Sequence, residues 1–485
     1  MQLRLLAQLV GRMVLLMGLF MLVPLAWGLL SGDGAAAAFG LSAALALGAG
    51  LAAGRPAAEE LDVRTALGAV ALGWAAAAAV GALPFWVSGA LPQGIDAFFE
   101  SVSSFTTTGA TVMTGLAAQP RALLLWRSLL QWLGGMGIVV LFVSLFPRLG
   151  IGSGQLFRAE VPGPAPEKLL PRVAESARLL WRMYVALTAA AALLLRWSGL
   201  DWFDAVNHAL TSVATGGHST RDGGVAALAN PWAEGVLVLF MFLGGTNFLL
   251  LYRLFRFGDG RAAAGSREFW AYAGLLLAAG LIIAVDLRGE TGAGWLPALR
   301  LGVFHAVSVM TTTGFAAADY TGWPDLSQAV LFVLMWVGGS AGSTSGGPKV
   351  VRWLVLAKHG ARELGRLLHP RAVQVLRIGD QAVSERIFSA VVGFFVLYML
   401  LWLAGTAVLA ALGVDLGSAA AAALASLGNV GPGFGAVGPS HTYAPFPPAA
   451  KLFLAFLMVV GRLEVLVVLA LVHPTFWERR LLRRR

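Results

Sequence analysis

Phe99-Glu-Ser-Val-Ser-Ser-Phe-Thr-Thr-Thr-Gly109 decides the reading of this chain, because its pattern returns three times. The counterparts are Asn207-His-Ala-Leu-Thr-Ser-Val-Ala-Thr-Gly-Gly217, Phe304-His-Ala-Val-Ser-Val-Met-Thr-Thr-Thr-Gly314 and Ala421-Ala-Ala-Leu-Ala-Ser-Leu-Gly-Asn-Val-Gly431. Their last glycines recur at intervals of about 100 residues, which describes one duplicated unit. Val102, Leu210, Val307 and Leu424 share a column, and Asp96-Ala97 matches Asp204-Ala205 upstream. Each copy sits between two long apolar runs. A stretch of about 13 residues is too short to cross a bilayer, which takes about 20 in a helix, but it suits a re-entrant segment. Non-helical backbone is tolerated at membrane depth only where it is buried in protein or lines a watery path. Four such loops around one axis predict a pore.

The rest of the chain agrees. Of 485 residues, 58% are hydrophobic and 12% charged, too little polar surface for a soluble protein of this length. Met13–Leu30, Ala66–Val87, Ala390–Leu412 and Leu452–Val472 are each long enough to span, and none alternates as a barrel strand would. The expected fold is an all-α polytopic membrane protein. It has four M1-P-M2 (span, pore helix, span) repeats around a pseudo-fourfold pore, plus two N-terminal spans, making ten spans and four pore helices. The boundaries fall at residues 1–60 for the N-terminal pair, then 61–150, 151–258, 259–375 and 376–485 for the repeats. With no cysteine, disulfides and thiolate metal sites are excluded. Trp27, Trp86, Trp202, Trp323 and Trp477 stand near span ends, as an interfacial belt would.

The net charge of +10 does not mark a nucleic-acid binder, because its placement alternates. Basic residues gather in three loops (Arg148–Arg182, Arg253–Arg267 and Lys358–Arg386) and in the tail from Arg479. The intervening loops carry Asp96, Glu100, Asp201, Asp204, Asp319, Asp325 and Asp415. By the positive-inside rule both termini are cytoplasmic. The acidic residues near the pore-helix starts would either concentrate cations at the outer mouth or, for Asp96 and Asp204, cap helices.

Replacing a cation's hydration shell takes oxygen ligands, and rings of backbone carbonyls do this for potassium. Thr107–Thr111, Thr215–Ser219, Thr312–Ala316 and Asn429–Gly433 read as degenerate forms of the potassium-channel Thr-Val-Gly-Tyr-Gly loop. The candidate filter residues are Thr108, Gly109, Gly216, Gly217, Thr313, Gly314, Val430 and Gly431. The ion would sit at Thr108, Gly109, Gly217, Thr313, Gly314 and Gly431. No acidic residue lies in these stretches, which argues against a ring of carboxylates.

Gly338-Gly-Ser-Ala-Gly-Ser-Thr-Ser-Gly-Gly-Pro348 interrupts the second run of the third repeat and cannot form a continuous helix. It reads as a mobile gating loop below the filter, with a plain linker as the other possibility. The gate residues are Gly338, Gly339, Ser340, Gly342, Ser343, Thr344, Ser345, Gly346, Gly347, Lys349 and Arg462. Arg462 lies inside an apolar run, where a charge costs about 3 kcal/mol. It would act as an electrostatic barrier or join an interhelical salt bridge. Glu464, two residues on, points elsewhere on a helix and is a poor partner.

Ser104-Phe-Thr-Thr-Thr-Gly-Ala-Thr111, Gly338–Lys349 with Arg352, Gly431-Pro-Gly433 and Gly461-Arg-Leu-Glu464 leading to Pro474-Thr-Phe-Trp477 resemble the Trk/Ktr/HKT superfamily of potassium transporters. The likeness is greatest to its bacterial TrkH/TrkG-like membrane subunits and covers nearly the whole chain. It implies potassium uptake across the bacterial inner membrane, a lipid-embedded homodimer with one pore per subunit, and TrkA-like cytoplasmic nucleotide-binding regulatory subunits. It implies no cofactor beyond the transported K+ and no enzymatic activity. Glycine at the first filter position, here Gly109, goes with potassium selectivity in the superfamily, and serine with sodium permeation. His218 stands where an aromatic is common, and Ser345 and Pro348 depart from a more glycine-rich loop. The competing reading is a sodium- or proton-coupled symporter, although such folds favour inverted pairs of repeats. A membrane-embedded enzyme would need a cluster of acid, base or nucleophile in the spans, and the sequence offers none.

Overall fold

The computed structural model describes residues 2–54, 62–144, 173–369, 377–378, 381–472 and 474. Arg148, Arg158, Lys168, Arg172, Arg371, Trp477 and the arginines from Arg479 onward, on which part of the charge reading rests, lie outside them.

The chain opens with an antiparallel pair, α1 (Leu3–Ser31) and α2 (Ala36–Ala52). The first repeat follows as α3 (Val63–Gly81), α4 (Leu83–Val87), the short α5 (Gly94–Phe105) and α6 (Arg121–Ser144). The second is α7 (Val173–Trp197), the short α8 (Trp202–Val213), α9 (Pro231–Gly244) and α10 (Phe248–Phe257). The third adds a six-residue α11 (Gly260–Gly265), then α12 (Arg267–Thr291), α13 (Trp295–Met310), α14 (Asp325–Met335) and α15 (Val350–Leu368). A two-residue antiparallel pair, β1 (Arg377–Ile378) and β2 (Gln381–Ala382), departs from the all-helical expectation. The last repeat is α16 (Glu385–Ala411), the short α17 (Leu416–Leu427), α18 (Pro448–Arg462) and α19 (Val465–Val472).

Local chemistry sets the starts of the short helices. Asp201 accepts the Asp204 N–H and Asp415 the Ser418 N–H, so each caps the helix that follows. Asp96 and Asp204 are not caps; the cap before Asp204 is Asp201, and the N-cap residue of α5 is Gln93, which makes no side-chain cap bond. On α16, Val396, Met399, Leu400 and Leu403 form an exposed apolar stripe, while Val391, Phe394 and Tyr398 face inward. Such a stripe is costly against water and is solvated in lipid. This is a multi-pass membrane protein.

Among the described residues, five helices are long and apolar enough to cross a membrane, or seven if each of two bent pairs is one span; α2, at 17 residues, is shorter than these. Several second helices break. α9 and α10 meet at 105°, and α18 and α19 at 116°, just beyond Arg462, so Leu452–Val472 is not one span. α14 has 11 residues and reaches only about 16 Å at 1.5 Å per residue. The remaining depth belongs to the glycine-rich stretch.

Candidate ion pathway

The four short helices α5, α8, α13 and α17 end in the same backbone turn. The N–H of Thr108 donates to Ser103, Gly216 to Thr211, Thr313 to Ser308 and Val430 to Ala425, each at 2.8 Å. One residue earlier Thr107, Thr215, Thr312 and Asn429 adopt positive φ of 51° to 58°, and one residue later Gly109, Gly217, Gly314 and Gly431 have φ of 74° to 94°. Positive φ is costly for β-branched threonine and less so for asparagine, so the packing around the three threonine loops imposes it. Drawing these N–H groups back onto the helix ends takes the carbonyls at the same positions out of the helical ladder, and of the four that of Gly216 accepts from Gln131 Nε2 at 2.6 Å.

The loops close on one another. A Cβ on Gly109 would collide with the carbonyl oxygen of Gly216, on Gly217 with that of Thr313, on Gly314 with that of Val430, and on Gly431 with that of Thr108. Each glycine thus abuts the carbonyl just before the next loop's glycine, and the fourth returns to the first. The helix C-termini behind them bring partial negative charge toward the ring. Against the ring lies a cavity of about 90 Å3 bounded by Gly109, Gly217, Gly314 and Pro432.

The ring is held from behind. Glu100, His208 and His305 share a repeat column and tie their short helices to the chain leaving each loop. Glu100 accepts from the Val112 N–H at 2.9 Å, His208 Nε2 lies 3.1 Å from Ser219 Oγ, and His305 Nε2 lies 3.2 Å from the Ala318 carbonyl. In the fourth repeat the column holds Ala422, and Ser418 accepts the Ala436 N–H instead. Asn429 Nδ2 donates to Thr108 Oγ1 at 3.0 Å, and Tyr443 Oη donates to the Gly431 carbonyl at 2.8 Å. His218 is fully packed, its Nδ1 3.4 Å from Ser104 Oγ.

Three of the acids near the pore-helix starts are neutralised by ion pairs, which tells against a cation-concentrating role for these three. Asp96 pairs with Lys451 at 2.7 Å, Asp204 with Arg221 at 2.5 Å, and buried Glu100 with Arg127 at 2.8 Å. The carboxylate lining the cavity against the ring is Asp222, along with Arg127, Arg221 and His441. Removing one partner of a buried ion pair leaves the other charge stranded, at about 3–5 kcal/mol. Arg127→Met is therefore expected to lower the apparent melting temperature of detergent-solubilised protein by several degrees. An unchanged melting temperature would show that the Glu100 pair carries no net weight.

Gly338–Pro348 is not slack in this structure; it is buried and bonded under the loops. The Ser340 N–H donates to Gly245 at 2.9 Å and the Thr344 N–H to Gly244 at 3.1 Å, both at the α9 break. The Gly346 N–H donates to Thr312 Oγ1 at 2.6 Å, and the Ala341 N–H to Glu268 at 2.7 Å. Lys349 Nζ donates to the Ser345 carbonyl, and Arg462 Nη1 to the Thr344 carbonyl at 2.6 Å. Arg462 Nη2 reaches the Gly134 carbonyl at 3.3 Å. Glu464 pairs with Arg352 at 2.6 Å rather than with Arg462.

The structure thus brings the eight candidate filter residues into one ring and the candidate gate residues into one buried layer beneath it. Sequence reasoning missed Gly244, Gly245, Phe248, Glu268 and Gln131, which hold that assembly. A recurring glycine column was the available signal. Gly134, Gly244 and Gly461 let their helices touch the terminal carbonyls of the pore-helix residues Phe105, Val213 and Leu427.

Comparison with known proteins places this architecture. The family model described as TrkH, cation transport protein, matches residues 35–279 and 297–478. The Trk system potassium uptake protein TrkH of Escherichia coli (strain K12) is 40% identical over 484 residues, covering 99% of this chain and 100% of that protein. TrkG of the same organism is 34% identical over 417 residues, 84% of each. The crystal structure of the potassium transporter TrkH from Vibrio parahaemolyticus superposes with a TM-score of 0.91 at 36% identity, covering 99% of this chain and 100% of that one. A ring of four glycine loops, broken second helices and end-to-end similarity together lead to one conclusion: the chain belongs to the TrkH family of cation transport proteins, which are transporters and not enzymes.

Proposed function

We propose that this protein takes up potassium across the bacterial inner membrane, with both termini cytoplasmic, through the ring of carbonyls at Thr108, Gly216, Thr313 and Val430 and their glycines. The closed contact of each glycine with the next loop's carbonyl carries this reading. Oxygen ligands fixed by surrounding packing replace a potassium ion's water without adding formal charge, so the ion binds and still leaves. The relatives' names as potassium uptake proteins support the same ion.

Gly338–Pro348 is the gate in this reading, closed by the bonds that Lys349 and Arg462 make to its carbonyls. Two buried cations under the ring also raise an electrostatic barrier to potassium. Opening then requires an outside source of energy. The superfamily resemblance supplies a candidate in a homodimer docked on TrkA-like cytoplasmic nucleotide-binding subunits.

The test is rubidium uptake into proteoliposomes holding the purified chain, competed by potassium or sodium. Potassium is expected to compete at least about tenfold better than sodium, a difference of about 1.4 kcal/mol. Uptake that requires an imposed proton or sodium gradient would move the assignment to a symporter.

A further inference from the structure

One side chain breaks the fourfold pattern behind the ring. Gln131 of α6 is fully buried, and its amide grips the second loop on both sides of Gly217. Its Nε2 donates to the Gly216 carbonyl at 2.6 Å, and its Oε1 accepts the His218 N–H at 3.1 Å. A backbone N–H only donates and a carbonyl only accepts, so these two partners fix which way the amide faces. The fit is close: a Cβ on Gly216 would fall 2.5 Å from Oε1 and 2.8 Å from Nε2.

The other repeats carry methionine here. Gln131 lies three residues before Gly134, as Met241 does before Gly244 and Met458 before Gly461, the three glycines that touch the pore-helix ends. Met335 completes the column. The next residues show it, because Trp132, Phe242 and Trp336 each pack on a tyrosine, Tyr184, Tyr272 and Tyr398, at ring separations of 5.3, 5.1 and 5.7 Å. All four column members are buried. A thioether fills space and is a weak acceptor, with no N–H to offer a carbonyl.

We infer that Gln131 is a positioning residue for cation selection, and that it makes the ion ring asymmetric by design of one repeat. This rests on the carbonyl-ring reading above. The Gly216 carbonyl already holds one N–H on one lone pair, so it meets the ion as a fixed and partly satisfied ligand, whereas no described side chain donates to the carbonyls of Thr313 and Val430. The clamp also holds Gly217 at the spacing the ring needs, since both bonds lie across that glycine. Without it the second loop is free to follow a smaller cation inward, and sodium is discriminated against less well.

The experiment compares Gln131→Met, Gln131→Leu and, as control, Gly109→Ser in proteoliposomes, reading the ratio of potassium to sodium competition against rubidium uptake. Methionine is what three repeats already accommodate, and leucine guards against a folding failure of either variant. Both are expected to lower the ratio at least about fivefold, the worth of roughly one hydrogen bond. A purely structural glutamine would instead lower the maximal rate for all ions with the ratio unmoved, and that result overturns the inference. If Gly109→Ser lowers the ratio and neither Gln131 variant does, the inference fails while the ring stands. If none of the three changes the ratio, the ring reading fails and the inference with it.

Discussion

Gly109→Ser is expected to cut the preference for potassium over sodium by at least about tenfold, or about 1.4 kcal/mol, while the protein still reaches the membrane. Two costs converge at this position. Its φ of 82° is open to glycine and strained for serine by about 1–2 kcal/mol. The new Cβ would also collide with the carbonyl oxygen of Gly216, a ring atom in the neighbouring loop. Backbone on both sides leaves no flexible side chain to move away, so the relief must come from the ring itself. One displaced oxygen spoils the cage for the larger ion and relaxes exclusion of the smaller. Gly217, Gly314 and Gly431 face the same collision with Thr313, Val430 and Thr108, so serine at any of them is expected to act alike. The measurement is cation competition in reconstituted vesicles, and an unchanged ratio in all four would remove the ring from selectivity.

Arg462→Met is expected to raise cation uptake by the chain alone about tenfold or more. Arg462 is buried at the end of α18, and its two described bonds go to carbonyls, Thr344 in the glycine-rich stretch and Gly134 on α6. A hydrogen bond to a charged donor is worth about 1.5–3 kcal/mol, so losing the Thr344 bond alone shifts a closed–open balance by about a factor of ten or more. Methionine keeps the packing volume and removes the charge below the ring. Lys349 remains bonded to Ser345, so the double change with Lys349→Met should exceed the single one. Rubidium uptake at matched protein amounts reads this directly, and equal or lower uptake would mean that Arg462 does not hold the path shut.

The four loops were legible in the sequence because their column of threonine and glycine is short, local and repeated. Arg462 and Gly338–Pro348 were legible for a similar reason, since a charge or a run of ten small residues contrasts with an apolar span. The bent pairs were not. Gly244-Gly245 and the Leu463-Glu464 corner sit in runs that stay apolar on both sides, and hydropathy carries no information about direction. The ion pairs of Asp96 and Glu100 were not legible because their partners are distant in sequence: Lys451 lies 355 residues from Asp96, and Arg127 27 residues from Glu100. Gln131 was hidden for a third reason. Its meaning depends on aligning the second helices of the repeats, which share little besides a glycine and an aromatic.

Ion positions test the carbonyl ring most directly. Thallium or rubidium, scattering strongly and close to potassium in size, can be located by anomalous diffraction in crystals of the intact protein. Density is expected on the axis enclosed by the carbonyls of Thr108, Gly216, Thr313 and Val430, weakened by competing potassium and not by equal sodium. Density confined to the neighbouring cavity lined by Asp222, with the ring empty at saturating ion, would contradict it.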